Sequence, residues 1–171
     1  FEVPGAAAWA SMLGRLLAAI DSAVRRLHGP GLERGDFMAS VYPPGRRAGF
    51  LRHVDNPEGD GRRLSAVYYV NSGWSPADGA LLCAWAGTGG TVRRIVPEAD
   101  VLVLFKADSL EHAVSANESC ATFPEGYRCA FTCWYYDPEE LQAYEPCHRK
   151  TRRRRRSGFG GKRDARVDQG C

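Results

Sequence analysis

Two histidines and one aspartate are the side chains whose types and placing could do chemistry. His53-Val54-Asp55 closes a strand-like run. In a strand, residues i and i+2 face the same side, so an imidazole and a carboxylate project together. Taken alone the pair is a weak signal, because it also reads as a surface histidine and a turn-initiating aspartate before Asn56-Pro57. The chain has four histidines, His28, His53, His112 and His148. His28 sits at a helix end and His148 borders a basic tail. His112 opens the short run Ala113-Val114-Ser115, after the apolar strand Val101–Phe105. Two imidazoles and one carboxylate with open positions beside them form a facial triad, the ligand set suited to non-haem Fe(II). By itself His112 reads as an ordinary strand-end histidine.

A second chemical group is Arg128, at the start of Arg128-Cys129-Ala130-Phe131-Thr132-Cys133-Trp134-Tyr135-Tyr136. An arginine inside an apolar strand is costly unless paired. With period two, Arg128, Ala130, Thr132 and Trp134 share one face, and Cys129, Phe131, Cys133 and Tyr135 the other. The first face offers a cation, a hydroxyl and an aromatic wall, a lining that suits a dicarboxylate held bidentately by the guanidinium. The competing reading is an edge-strand arginine facing water.

The elements that must carry these residues can be read from period. Leu13, Leu16, Leu17, Ile20, Val24 and Leu27 recur at spacings of three and four, one face of an amphipathic helix that stops at His28-Gly29-Pro30-Gly31. Seven strand-like runs follow: Phe37–Tyr42, Gly49–Val54, Leu64–Asn71, Ala80–Trp85, Val101–Phe105, His112–Ser115 and Arg128–Tyr136. Gly, Pro and Asp clusters separate them, so the expected class is α+β, mainly β, as a sandwich or barrel. Asp137-Pro138 reads as a helix N-cap and first position. The expected division is a supporting helix region over 1–30, a core over 31–148 and a basic, disordered tail over 149–171.

The 171 residues carry a formal charge of +3, but the tail from Arg149 carries +8, which leaves −5 for the rest. The five arginines Arg152 to Arg156 could make salt-sensitive phosphate contacts, could be a nuclear localisation signal, or could be a solvated tail. Phe159 is the one aromatic there, so no base-stacking platform is expected and nucleic acid is not the expected partner. Cys83, Cys120, Cys129, Cys133, Cys147 and Cys171 are scattered without a CxxC, and read as free thiols in a reducing compartment, cytoplasmic or nuclear. The apolar stretch from Ala6 to Ile20 contains Arg15 and is shorter than the roughly 20 residues of a membrane span, so no membrane association is expected.

Three blocks in order carry a family likeness. Arg52-His53-Val54-Asp55-Asn56-Pro57-Glu58-Gly59-Asp60-Gly61-Arg62 resembles the metal loop of the hypoxia-inducible-factor prolyl hydroxylases. Val67-Tyr68-Tyr69-Val70-Asn71 and Trp74 resemble the strand that follows it, and Arg128 to Asp137 resembles the last core strand. The resemblance runs from about Leu16 to about Glu140. It implies a double-stranded β-helix (jelly roll) with a supporting N-terminal helix. It also implies Fe(II)- and 2-oxoglutarate-dependent hydroxylation, by dioxygen, at C4 of a prolyl residue in a protein substrate, with L-ascorbate as reductant. By this resemblance His53, Asp55 and His112 match the iron ligands and Arg128 the partner of the cosubstrate's far carboxylate. Tyr69 matches an assisting hydroxyl, Thr132, Tyr42, Leu81, Val114 and Trp134 match pocket-lining positions, and Arg62 a position near the substrate. Two other classes share these motifs: hydroxylases of ribosomal or matrix-type proteins, and a non-catalytic relative that keeps the fold. The chain departs from the pattern at Pro43-Pro44, where a gap is needed, and at Phe50, where a Tyr is typical. An insertion lies around Glu118–Gly126. The family's N-terminal strands and mobile substrate loop lie upstream of most of this match: either they fall outside the given sequence or Phe1–Ala10 is a degenerate remnant of them.

Overall fold

In the computed structural model, the described residues are 5–45, 48–86, 91–122 and 124–144. The helix α1 spans Ala6–His28. It is followed by β1 (Glu33–Tyr42), β2 (Phe50–His53), β3 (Arg62–Tyr69), a 3-10 turn (Pro76–Asp78), β4 (Leu82–Trp85) and β5 (Val92–Ile95). Then come β6 (Leu102–Lys106), β7 (Glu111–Val114) and β8 (Arg128–Tyr136). Two four-stranded antiparallel sheets result, one in the order β1-β8-β3-β6 and the other β2-β7-β4-β5. The class is α+β, as expected.

The strand β8 decides the layering because both of its faces are used. Cys133 and Tyr135 turn to α1, where they meet Ile20 and Val24 beside Ala66 of β3. Tyr135 also donates its hydroxyl to Asp21 of the helix at 2.7 Å, and Arg34 of β1 reaches the same carboxylate oxygen at 2.9 Å. The opposite face of β8 contributes Ala130 to a second cluster with Val67, Tyr69, Leu82 and Phe105, which draws on both sheets. Each large buried side chain contributes about 1.5–3 kcal/mol. The interior between the sheets is therefore firm enough to hold polar groups in place.

Two expectations are corrected. The strand Val92–Ile95 is absent from the seven expected runs. Its adjacent Arg93 and Arg94 break the apolar pattern, and as an edge strand it needs only Ile95 to pack inward. The apolar N-terminal stretch is also longer than expected. The helix runs through Arg15, and over Ala7–His28 it is long and apolar enough to cross a bilayer by length and composition alone. Ile20 and Val24 nevertheless close onto the sheet. The cap at Asp137 holds: its side chain accepts from the backbone N–H of Glu139 and Glu140, opening a helix over 138–144. His148, Cys147, Cys171 and the arginine run lie outside the described residues.

Candidate metal centre and cosubstrate pocket

β2 delivers His53 as its last residue, and β7 delivers His112 directly opposite it in the ladder. The antiparallel pairing therefore sets the two imidazoles side by side, with ring centroids 4.2 Å apart. Asp55 lies two residues beyond His53, in the bend after the strand. Its Oδ1 stands 3.3 Å from His53 Nε2 and 3.7 Å from His112 Nε2. One donor atom from each of the three residues falls within 4.8 Å of the others, which makes this a group able to hold a metal ion.

Surrounding atoms fix which lone pairs face inward. His53 Nδ1 lies 2.8 Å from the Leu51 carbonyl and His112 Nδ1 3.1 Å from the Leu110 carbonyl. A ring nitrogen facing a carbonyl carries the proton, which leaves Nε2 free as a ligand. Asp55 Oδ2 accepts from the Ser65 hydroxyl and from Trp134 Nε1 at 3.2 Å. One carboxylate oxygen is thus pinned by β3 and β8 and the other is left to the imidazoles. Phe50 and Phe105 stand against the rings of His53 and His112, each with centroids 4.6 Å apart.

Burial holds the pKa of His112 below its ordinary value. The folded chain then binds fewer protons than the unfolded chain once pH falls below the unfolded value of about 6.5. Stability that is fully present above that pH is lost as acid is added. The metal-free protein should therefore melt lower at pH 5.5 than at pH 7.5, and His112→Gln should shrink that difference in a thermal denaturation series. Ser65 is fully buried against Asp55. Ser65→Ala should weaken metal binding about 10- to 100-fold while the fold persists, measured by Mn(II) titration.

The loop between Asp55 and β3 has a physical reason for its sequence. Asn56 Nδ2 donates to the Arg62 carbonyl at 2.9 Å, and its Oδ1 accepts from Asp60 N–H at 2.7 Å. Gly61 sits at φ 88°, and a Cβ there would stand 2.8 Å from the backbone nitrogen of Leu141. Arg62 is gripped by the Asp60 carboxylate and lies over the Trp134 ring at 5.6 Å.

Behind the triad is a cavity of about 320 Å³ between the sheets. Tyr42, Arg62, Val114, Arg128, Thr132 and Trp134 all line it, together with His53, Asp55 and His112. Leu81 and Tyr69 do not: Leu82 lines it beside Leu81, and Tyr69 packs on Arg128 instead. The backbone of Leu81 is tied on both sides to Ser115, and neighbours along a strand point to opposite faces. Arg128 is almost wholly buried, with Tyr42 and Tyr69 packed on it at 4.9 and 5.0 Å from their ring centroids. Its Nε and the Tyr69 hydroxyl are buried without a hydrogen-bond partner. Burial raises the pKa of Tyr69, against the charge and the close polar approach of Arg128, so the phenol stays protonated. An unpaired buried donor is expensive, and the partnerless Nε of a buried cation on the cavity wall suits an anionic ligand. Sequence reasoning missed Ser65, Met38, Ser40, Val67 and Phe105. Ser65 was findable, since Ser65, Val67 and Tyr69 share one face of β3 at period two.

The model of the 2OG-Fe(II) oxygenase superfamily matches residues 37–136, which include all of these residues. The chain belongs to that superfamily. Within it, the chain is 37% identical over 109 residues to the mouse protein "Prolyl hydroxylase EGLN3", covering 63% of this chain and 43% of that one. It is 31% identical over 137 residues to human "Egl nine homolog 1", covering 75% of this chain and 30% of that one. It thus spans less than half the length of these curated relatives. Among solved structures, a Trichoplax adhaerens prolyl hydroxylase in complex with a hypoxia-inducible-factor peptide superposes with a TM-score of 0.66 at 31% identity. That match covers 77% of this chain and 59% of the other. A Pseudomonas putida prolyl-4-hydroxylase superposes with a TM-score of 0.57, also at 31% identity, over 71% of this chain and 62% of that one. The superfamily's two groups, Fe(II) and 2-oxoglutarate, fit the donor set: a His, His, carboxylate face for the metal, and the buried cation of Arg128, with its Nε unpartnered, for a dicarboxylate.

Proposed function

We propose that this chain is the core of a prolyl 4-hydroxylase that uses Fe(II) and 2-oxoglutarate to hydroxylate C4 of a prolyl residue in a protein substrate, of the oxygen-sensing type. The observation that carries this is one cavity lined both by a triad with its Nε2 lone pairs turned inward and by the buried Arg128, whose Nε has no partner and which packs on Tyr69. The names of the relatives support the choice of a prolyl substrate.

Bound Fe(II), with 2-oxoglutarate and dioxygen, supplies the oxidising power for an unactivated C–H bond. The residues of the chain do the rest. His53, Asp55 and His112 hold the metal. Ser65 and Trp134 keep one Asp55 oxygen turned away from the cavity centre. Arg128 and Tyr69 hold the far carboxylate of the cosubstrate, with Tyr42, Thr132 and Val114 as walls. Arg62 presents a cation at the substrate side, already balanced by Asp60. The two sheets read as the halves of a double-stranded β-helix. L-ascorbate keeps the metal reduced between turnovers. The described cysteines, Cys83, Cys120, Cys129 and Cys133, are all free thiols, which supports a cytoplasmic or nuclear setting.

The test is mass spectrometry of proline-containing peptides incubated with the protein, Fe(II), 2-oxoglutarate and ascorbate. One added oxygen on proline, with equal succinate, is expected. A panel of hypoxia-factor, ribosomal and matrix-type peptides separates the substrate branches. Absence of any 2-oxoglutarate decarboxylation by the metal-loaded protein would leave a non-catalytic relative.

A further inference from the structure

We infer that two buried asparagines, Asn71 and Asn117, are positioning residues for Arg128 and thereby set affinity for the cosubstrate. This rests on the dicarboxylate reading above and names what holds its key cation.

Arg128 is the first residue of β8, where a strand ordinarily frays. The β3–β8 ladder ends at the pair Tyr69 and Ala130, short of Arg128. Beyond it the Asn71 side chain takes over. Its Oδ1 accepts from the Cys129 N–H at 2.6 Å, and its Nδ2 donates to the Cys129 carbonyl at 3.0 Å and the Pro97 carbonyl at 2.6 Å. One amide thus replaces both ladder bonds of the residue next to Arg128. On the other side Asn117, 1% exposed, donates through Nδ2 to the Gly126 and Tyr42 carbonyls, both at 2.9 Å. Gly126 lies two residues before Arg128, and Tyr42 is its cross-strand partner and one of the rings on its guanidinium. Asn117 also accepts from the Ser119 N–H at 3.0 Å, so it roots the inserted loop. Arg128 is therefore clamped on both sides by side-chain amides, while its own Nε is left without a partner. A buried arginine that binds a ligand bidentately must be held from its backbone, because any partner on its donors would compete with the ligand.

The test uses the full chain loaded with redox-silent Mn(II) and two probes by calorimetry: 2-oxoglutarate, and oxalate, which occupies the metal end and carries no far carboxylate. Asn71→Asp and Asn117→Asp keep volume and an accepting oxygen, lose the donated bonds and set a buried carboxylate against the same carbonyls; Asn71→Ala and Asn117→Ala remove the clamps without adding charge. Each should raise Kd for 2-oxoglutarate at least fivefold and leave oxalate within twofold. A 2-oxoglutarate Kd within twofold of wild type in all four overturns the inference. So does a parallel loss of both probes, which marks general loosening of the fold. Wild-type protein that binds oxalate but not 2-oxoglutarate overturns the functional reading itself, and this proposal with it.

Discussion

Asp55→Asn should abolish hydroxylation and weaken metal binding by about 100-fold or more, although asparagine has the same shape. Trp134 Nε1 can only donate, and it faces the Asp55 Oδ2 position. An asparagine must therefore turn its carbonyl oxygen to Trp134, which leaves its NH2 facing the two imidazoles. That group has no lone pair to give and places hydrogen where the metal should sit. A loss of about 2.8 kcal/mol corresponds to 100-fold, and deleting one of three protein ligands together with its charge is worth at least that. Mn(II) calorimetry and thermal melts check the two halves of the claim: affinity collapses and the melting temperature of the metal-free protein barely moves. The double variant Asp55→Asn with Trp134→Phe removes the constraint, because the Ser65 hydroxyl can then accept from the amide. It should recover part of the metal affinity. Full metal affinity in Asp55→Asn alone would remove Asp55 from the ligand set.

How much of this was legible beforehand follows from how far apart the partners lie in sequence. His53 and Asp55 are two residues apart, so the sequence brought them close, although Asp55 lies in the bend beyond β2 and is turned by Ser65 and Trp134 rather than by strand period. Their meeting with His112 depends on β2 pairing with β7, a non-local choice that no local pattern states; the likeness to known hydroxylases supplied it. The faces of β8 were readable because nine residues alternate without a break, and the cavity side came out as expected. Leu81 was placed by likeness to the family alone, and Leu82 lines the cavity in its stead; one residue of slip in such a match turns a strand over. The strand β5 was invisible, since Arg93 and Arg94 sit where an apolar pattern was sought. Ser65 and the two asparagine clamps were unread for a different reason. Polar residues acquire meaning inside a core only through the partners they satisfy, and Asn71 finds Cys129 58 residues away.

Arg128→Gln should raise KM for 2-oxoglutarate by about 30-fold or more, and leave the Mn(II) affinity of the triad unchanged. Arg128 is 2% exposed and its guanidinium packs on two tyrosine rings, so its charge is largely stripped of bulk water before any ligand arrives. Truncating one partner of a buried, hydrogen-bonded charge pair costs about 2–5 kcal/mol, and 2 kcal/mol already approaches 30-fold. Arg128→Lys keeps the charge but gives up the planar fork that grips both carboxylate oxygens, so it should fall between the two. Tyr69→Phe removes one neutral donor and should cost about 0.5–1.5 kcal/mol, a 2- to 10-fold rise in KM. The ordering of the three distinguishes a carboxylate site from a packing role. If Arg128 served only to fill the space between β1 and β3, glutamine, the uncharged donor, would disturb KM no more than lysine, and Tyr69→Phe would leave it untouched. Steady-state kinetics at saturating metal, with 2-oxoglutarate varied, reads all three in one series.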